Sequence, residues 1–123
     1  MTPNFPIVEF RDADPLQDYY TDGKHRWSIA RLIDLVKDLP AFDVPVAALD
    51  LSGVIWDGRS IYWQAFNVRR VLDSDLSCPI ILSWDGAIAD GRHRIIKAIV
   101  ERKETIRAVR LTWRPDPDSA ELV

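Results

Sequence analysis

The chain has 123 residues, 47% of them apolar and 28% charged, with a net charge of −3. That is the length of one domain, long enough to bury a core without disulfides or a metal, and the composition is ordinary for a globular protein. An acidic balance argues against broad, non-specific DNA binding, which needs a large positive field.

Residues 1–27 read as an irregular segment with Pro3, Pro6 and Pro15, apart from a short strand over residues 7–10. Ser28 caps a predicted helix over residues 28–39, in which Ile29, Leu32, Ile33 and Val36 recur at helical spacing and Pro40 stops the run. Residues 44–49 read as a strand, and Pro45 marks it as an edge. Residues 51–59 are a loop containing Asp57-Gly58. Residues 61–73 read as a second helix, with Tyr62, Ala65, Val68 and Leu72 on one stripe. Residues 79–83 form a short continuous apolar run, the signature of a strand buried on both faces. Asp85-Gly86 reads as a two-residue hairpin turn, returning into a strand over residues 87–89. A third helix is predicted over residues 91–102, with Ile95, Ile96, Ala98, Ile99 and Val100 as a wide buried face. A last strand covers residues 106–111, and a polar tail that frays begins at Arg114. The fold class is therefore α+β, a small mixed sheet flanked by helices. The expected divisions are an irregular segment (1–27), one domain (28–113) and a flexible tail (114–123).

No run is apolar and long enough for a membrane span, so no membrane partner is expected. The opening Met1-Thr2-Pro3-Asn4-Phe5-Pro6 lacks the basic and apolar regions of a secretory signal. Cys78 stands alone, and there is neither a Cys-x-x-Cys nor a His-rich cluster. No metal site is expected, and the expected compartment is the reducing cytoplasm.

Both histidines of the chain lie in one repeated word, Asp22-Gly23-Lys24-His25-Arg26 and Asp90-Gly91-Arg92-His93-Arg94. The second copy ends a predicted strand and opens a predicted helix. Such a turn aims backbone N–H groups at one spot, and the helix dipole makes that spot attract anions. From Gly91 to Arg114 eight basic residues face only Glu101 and Glu104, so this segment is +6 and the remainder −9. A local basic island suits a phosphate-bearing small molecule, although Arg102, Lys103 and Arg107 also read as an ordinary solvated face.

Each residue of the second word has two readings. Gly91 allows backbone to approach a phosphate, or only permits the turn. Asp90 caps the helix, or joins a magnesium ion together with phosphate oxygens. Arg92 and Arg94 hold phosphate, Arg94 bidentately, or Arg94 makes a salt bridge on the first helical turn. His93 donates a hydrogen bond or titrates near neutrality, or is structural. Lys97, one turn beyond His93, reaches the same ligand or faces solvent. The first copy lacks the preceding strand. Its Lys24, His25 and Arg26 read as a surface loop or as a candidate lid over the ligand. Trp56, Trp63, Trp84 and Trp113 are candidates for stacking a base or for core and rim, with Trp84 and Trp113 the most exposed.

The stretch Pro79-Ile80-Ile81-Leu82, Trp84-Asp85-Gly86, Ala87 to Arg94, a helix, and then Lys103 to Leu111 resembles the ParB/sulfiredoxin-like superfamily. The resemblance covers residues 44–111. ParB domains carry Gly-Glu-Arg-Arg at this turn, sulfiredoxins Gly-Cys-His-Arg, and free-serine kinases of the same group Asp-Gly-His-His-Arg. It implies a nucleotide-phosphate corner at Gly91, His93 and Arg94, with magnesium accompanying the nucleotide. Arg92 stands where sulfiredoxins have their cysteine nucleophile and ParB its glutamate, so sulfinic-acid reduction and ParB-type turnover are not carried over. The sequence ends at Val123, without the DNA-reading helix-turn-helix that comes next in ParB. The expected function is nucleotide binding, with phosphohydrolase or phosphotransferase chemistry as its catalytic form. Glu9 and Asp57 are the candidate bases, and catalysis itself is left undecided. The alternatives are a DNA-binding or nuclease-type ParB-like module and a non-enzymatic interaction protein.

Overall fold

A computed structural model describes residues 4–11, 18–53, 55 and 60–118. Its elements run β1 (Tyr19–Thr21), β2 (Arg26–Ser28), α1 (Ile29–Val36), β3 (Phe42–Pro45), a 3-10 turn (Val46–Ala48), α2 (Ile61–Asp73), β4 (Ile80–Leu82), β5 (Ile88–Asp90), α3 (Arg92–Val100) and β6 (Thr105–Arg110). The class is α+β. A four-stranded mixed sheet has the order β3-β6-β4-β5, and β1-β2 is a separate antiparallel hairpin. Strand β4 runs parallel to β6, while β3–β6 and β4–β5 are antiparallel.

Period-two alternation in the strands divides the core into two layers. Ile80, Leu82, Ile106 and Ala108 point to one face and pack on Ile95 and Ala98 of α3. Ile81, Ala89, Val109 and Leu111 point to the other and pack on Ile29, Leu32 and Val36 of α1, with Tyr20 and Trp27 of the hairpin. Strand β4 is buried along its whole length, as its unbroken apolar run predicts. Strand β3 lies at the sheet edge, where Pro45 costs no ladder hydrogen bond.

Several elements differ from the sequence reading. Residues 7–10 form no strand; Phe10 instead packs on Tyr62 and Phe66 of α2. The segment expected to be irregular holds β1 and β2, because Asp22 and Gly23 close a turn that pairs Tyr20 with Trp27. Helix α1 ends at Val36 and continues only as a turn towards Pro40. The strand expected over 44–49 starts at Phe42 and stops at Pro45. Beyond it Val46 turns into the 3-10 segment and donates its N–H to Glu104 O at 3.0 Å. Helix α2 buries Phe66 and Val71 rather than the Tyr62-Ala65-Val68-Leu72 stripe; Ala65, Val68 and Leu72 are exposed. Its aromatic side, Tyr62, Trp63 and Phe66, covers more apolar area per residue and takes the inner position. Helix α3 buries Ile95 and Ala98, while Ile99 and Val100 at its end are exposed. The hairpin turn has three residues, Trp84–Gly86, since the Ser83 N–H donates to Ala87 O at 2.8 Å and Gly86 takes φ +88°.

Residues 115–118 of the tail make hydrogen bonds to the body of the fold. Pro115 is buried, and its carbonyl accepts from the fully buried Trp27 indole at 2.9 Å. Asp118 accepts from the Ser28 N–H at 2.9 Å and from Arg31 at 2.7 Å, so residues 115–118 strap the start of α1. Replacing Trp27 by Phe leaves the Pro115 carbonyl without its donor. We expect Trp27→Phe to cost at least about 1–3 kcal/mol, the penalty for an orphaned buried polar group. Urea unfolding checks this, and an unchanged midpoint would show that the strap does not hold in solution.

Candidate functional site

Strand β5 leads into α3 through Gly91, which takes φ +113°. A Cβ at this position would lie 2.4 Å from Cγ2 and 2.8 Å from Cβ of Ile80. Glycine is therefore needed twice, for the left-handed backbone and for the contact between the helix start and β4. Gly91 itself occupies the N-cap position of α3, and no side chain caps the helix. The capping role expected for Asp90 is thus not what the structure has. Asp90 lies one residue too early, and its carboxylate instead accepts from Arg94 at 2.8 Å. Four residues apart across a helix start, the two side chains meet on one face.

Arg94 also donates to the carbonyls of Cys78 (3.0 Å) and Pro79 (2.7 Å), tying α3 to the entry of β4. Lys97 donates to the carbonyls of Leu72 (3.1 Å) and Ser74 (2.7 Å), where it caps the C-terminus of α2. Arg92 is exposed, and its guanidinium donates to Ile88 O at 3.3 Å. Among the described residues Arg92 makes no ion pair, unlike Arg94 with Asp90 and Arg70 with Asp18.

His93 is half-buried beside α2, with Nε2 2.9 Å from Asn67 Oδ1. The Asn67 amide nitrogen donates to Trp63 O at 2.9 Å, which fixes the amide with its oxygen towards the histidine. Nε2 therefore carries the proton, and Nδ1 is an acceptor in the neutral ring. Burial, then the charges of Arg70, Arg94 and Arg92, push the imidazole down to about 4. At neutral pH the ring is uncharged.

These residues border a cleft of about 970 Å³ on the α1 side of the sheet. Its floor is Ile81, Ala89 and Val109, one wall is Ile33 and Val36 of α1, and its rim carries Asn67 and Arg70 of α2. Asp90, Gly91, Arg92, His93 and Arg94 all line it, whereas Lys97 does not. The sequence reading missed Asn67, Arg70 and Ile33 as cleft residues. Asn67 and Arg70 share one helical face three residues apart, a signal that could have grouped them.

The first copy of the word is built differently. Asp22 Oδ1 accepts from the N–H groups of Lys24 (2.9 Å) and His25 (2.7 Å), and its carboxyl is held down near 2 by these bonds. His25 Nδ1 lies 3.3 Å from Asp22 Oδ2, and the Arg26 guanidinium stacks on Tyr19. Lys24, His25 and Arg26 do not line the cleft. Glu9 is exposed in an N-terminal segment without regular secondary structure, and Trp56 and Asp57 fall outside the described residues. Trp84 is half-buried against Trp27 (4.9 Å), and Trp63 lies under the Arg11 guanidinium.

No protein-family model, curated protein or solved structure matches this chain. Among the described residues no helix is long and apolar enough to cross a membrane. No three His, Cys, Asp or Glu side chains among them cluster as metal ligands.

Gly91→Ala should destabilise the fold by roughly 2–4 kcal/mol, combining overpacking against Ile80 with a strained positive φ. Denaturant unfolding gives the value, and a loss within error would refute the close approach. A second expectation concerns pH. The His93 value in the fold lies below the 6.5 of an unperturbed imidazole, so the unfolded chain binds the extra proton. The contribution of His93 is fully present above pH 6.5 and is lost progressively as pH falls towards 4. In His93→Gln the drop in stability across this window should be shallower than in wild type, because the proton uptake by His93 on unfolding is removed.

Proposed function

We propose that this chain is a binding domain for a phosphate-bearing small molecule. The phosphate sits on the cleft rim at Arg92, within reach of Arg70 and the first N–H groups of α3. The observation that carries this reading is the cleft itself. Asp90–Arg94 and Arg70 converge on one concave surface, and Arg92 has no carboxylate partner among the described residues. A guanidinium left on an open rim is a natural phosphate donor, and the start of a helix adds positive potential beside it.

The strand order adds support for a ParB/sulfiredoxin-like architecture. A buried strand turns through a hairpin into β5, Gly91 opens α3, and β6 returns parallel to β4. The resemblance alone makes nucleotides the first phosphate compounds to screen. Magnesium enters as the counter-ion of their phosphates, with Asp90 the rim carboxylate nearest the Arg94 anchor. Binding is the reading favoured over turnover. Asp90 is engaged by Arg94, and neutral His93 donates its one proton to Asn67.

The test is a thermal-shift and calorimetric screen with ATP, ADP, CTP, GTP and inorganic phosphate, with and without magnesium. Arg92→Ala should weaken binding by about 1.5 kcal/mol, the lower end for a hydrogen bond to a charged group, as fits an open rim. His25→Ala should bind as wild type, since His25 does not line the cleft. Absence of stabilisation by every phosphate compound would overturn the proposal. Equal losses in the two variants would make the β1–β2 turn a lid over the same ligand.

A further inference from the structure

The walls of the cleft say what the rest of the ligand is made of. The apolar side chains it leaves accessible are aliphatic, Ile33, Leu39, Ala41 and Ile55, while the sheet floor beneath is buried. Ile33 is 41% exposed there, with part of its side chain left uncovered by the fold. Tyr19 and the His93 imidazole are the aromatic rings lining the cleft among the described residues; the Arg26 guanidinium already lies 4.5 Å over Tyr19, and His93 is held against Asn67. Trp27, Trp63 and Trp84 are committed elsewhere, Trp27 and Trp84 to each other and Trp63 to Phe66 and Arg11. A nucleobase is normally held by stacking on an aromatic face and by hydrogen bonds to its polar edge. The polar amide on the rim, Asn67, spends its oxygen on His93 and its nitrogen on Trp63 O. Tyr19 and the rim amide are therefore already engaged within the fold.

We infer that the cleft takes a phosphomonoester of an aliphatic alcohol, such as a prenyl or alkyl phosphate, rather than a nucleotide. This rests on the proposed phosphate site and assigns the other end of its ligand. The phosphate engages Arg92 and Arg70 on the rim. The hydrocarbon lies against Ile33, Leu39, Ala41 and Ile55, so apolar surface on both partners leaves water. Charge complementarity fixes the orientation. Arg92 is the rim cation without a carboxylate partner among the described residues, while Asp75 turns its carboxylate onto Ser77 (2.7 and 2.9 Å).

Calorimetry on the full chain with geranyl phosphate, geraniol, AMP and inorganic phosphate tests this. Geranyl phosphate should bind about tenfold or more tightly than inorganic phosphate, and AMP no more tightly than inorganic phosphate. Ile33→Ala, at an exposed position that leaves the core intact, should reduce geranyl phosphate affinity by up to about tenfold and leave inorganic phosphate unchanged. Arg92→Ala should weaken both. AMP binding more tightly than geranyl phosphate would overturn the aliphatic assignment while the phosphate site stands. Geraniol binding as tightly as geranyl phosphate, or no binding by any phosphate, would overturn the phosphate site and the inference with it.

Discussion

The approach of Gly91 to Ile80 governs the geometry of everything around the cleft. With no side chain at Gly91, α3 begins against β4 instead of a residue's width away. Arg94, one turn into the helix, then reaches back to the carbonyls of Cys78 and Pro79 and to Asp90. Lys97, nearly one further turn along, reaches the end of α2. The chain of contacts from β4 through α3 to α2 is thus fixed by one missing Cβ. The cleft lies between α1 and the start of α3, and α2, held beside α3, brings Asn67 and Arg70 to its rim.

That framework changes the meaning of the basic island between Gly91 and Arg114. Its +6 charge suggests a surface waiting for an anion, yet most of its members are spent on the fold. Arg94 and Lys97 satisfy carbonyls at the ends of other elements. Arg107 pairs with Asp43 across β3 and β6. Arg110 donates to Trp84 O, and Arg114 lies near the rings of Trp27 and Trp84. Arg92 is what remains for the cleft, with Arg70 brought from a helix the charge count did not include. Charge density along a sequence counts cations but does not distinguish those held by backbone carbonyls from those facing a ligand.

The parts of the fold legible in the sequence share a local cause. The strand at Ile80–Leu82, the turn at Gly86 and the helix after Gly91 each arise from the residues within a few positions, through apolar continuity, positive φ and helical spacing. Of the candidate site only the strand-to-helix turn at Gly91 was legible in this way. The illegible parts depend on distant partners. Strands of three residues, as in β1 and β2, are too short to show alternation, and Tyr20 and Trp27 declare themselves only through the core they enter. The strap at Pro115 and Asp118 depends on Trp27, Ser28 and Arg31, some 85 to 90 positions earlier. Ile33 looks like a core residue by spacing, and only the packing of α1 shows that part of it stays uncovered.

The two copies of the repeated word make the same point in five letters. Both place an arginine four residues after an aspartate. After Asp90 the chain enters a helix, four residues advance it only about 6 Å, and Arg94 closes onto the carboxylate. After Asp22 the chain turns into β2. The aspartate is taken by the Lys24 and His25 N–H groups, and Arg26 points back across the hairpin to Tyr19. Identical residues thus give an anchored helix start beside a cleft in one place and a closed surface turn in the other. The difference lies in the residues just C-terminal to each copy. Beyond the second, Ile95 and Ala98 continue a helix that the sheet can bury, whereas beyond the first Trp27 is drawn into the core as part of a strand. A motif of this kind acquires chemistry from the element it opens, and the same holds for its histidine: His93 is held by α2, His25 by its own turn.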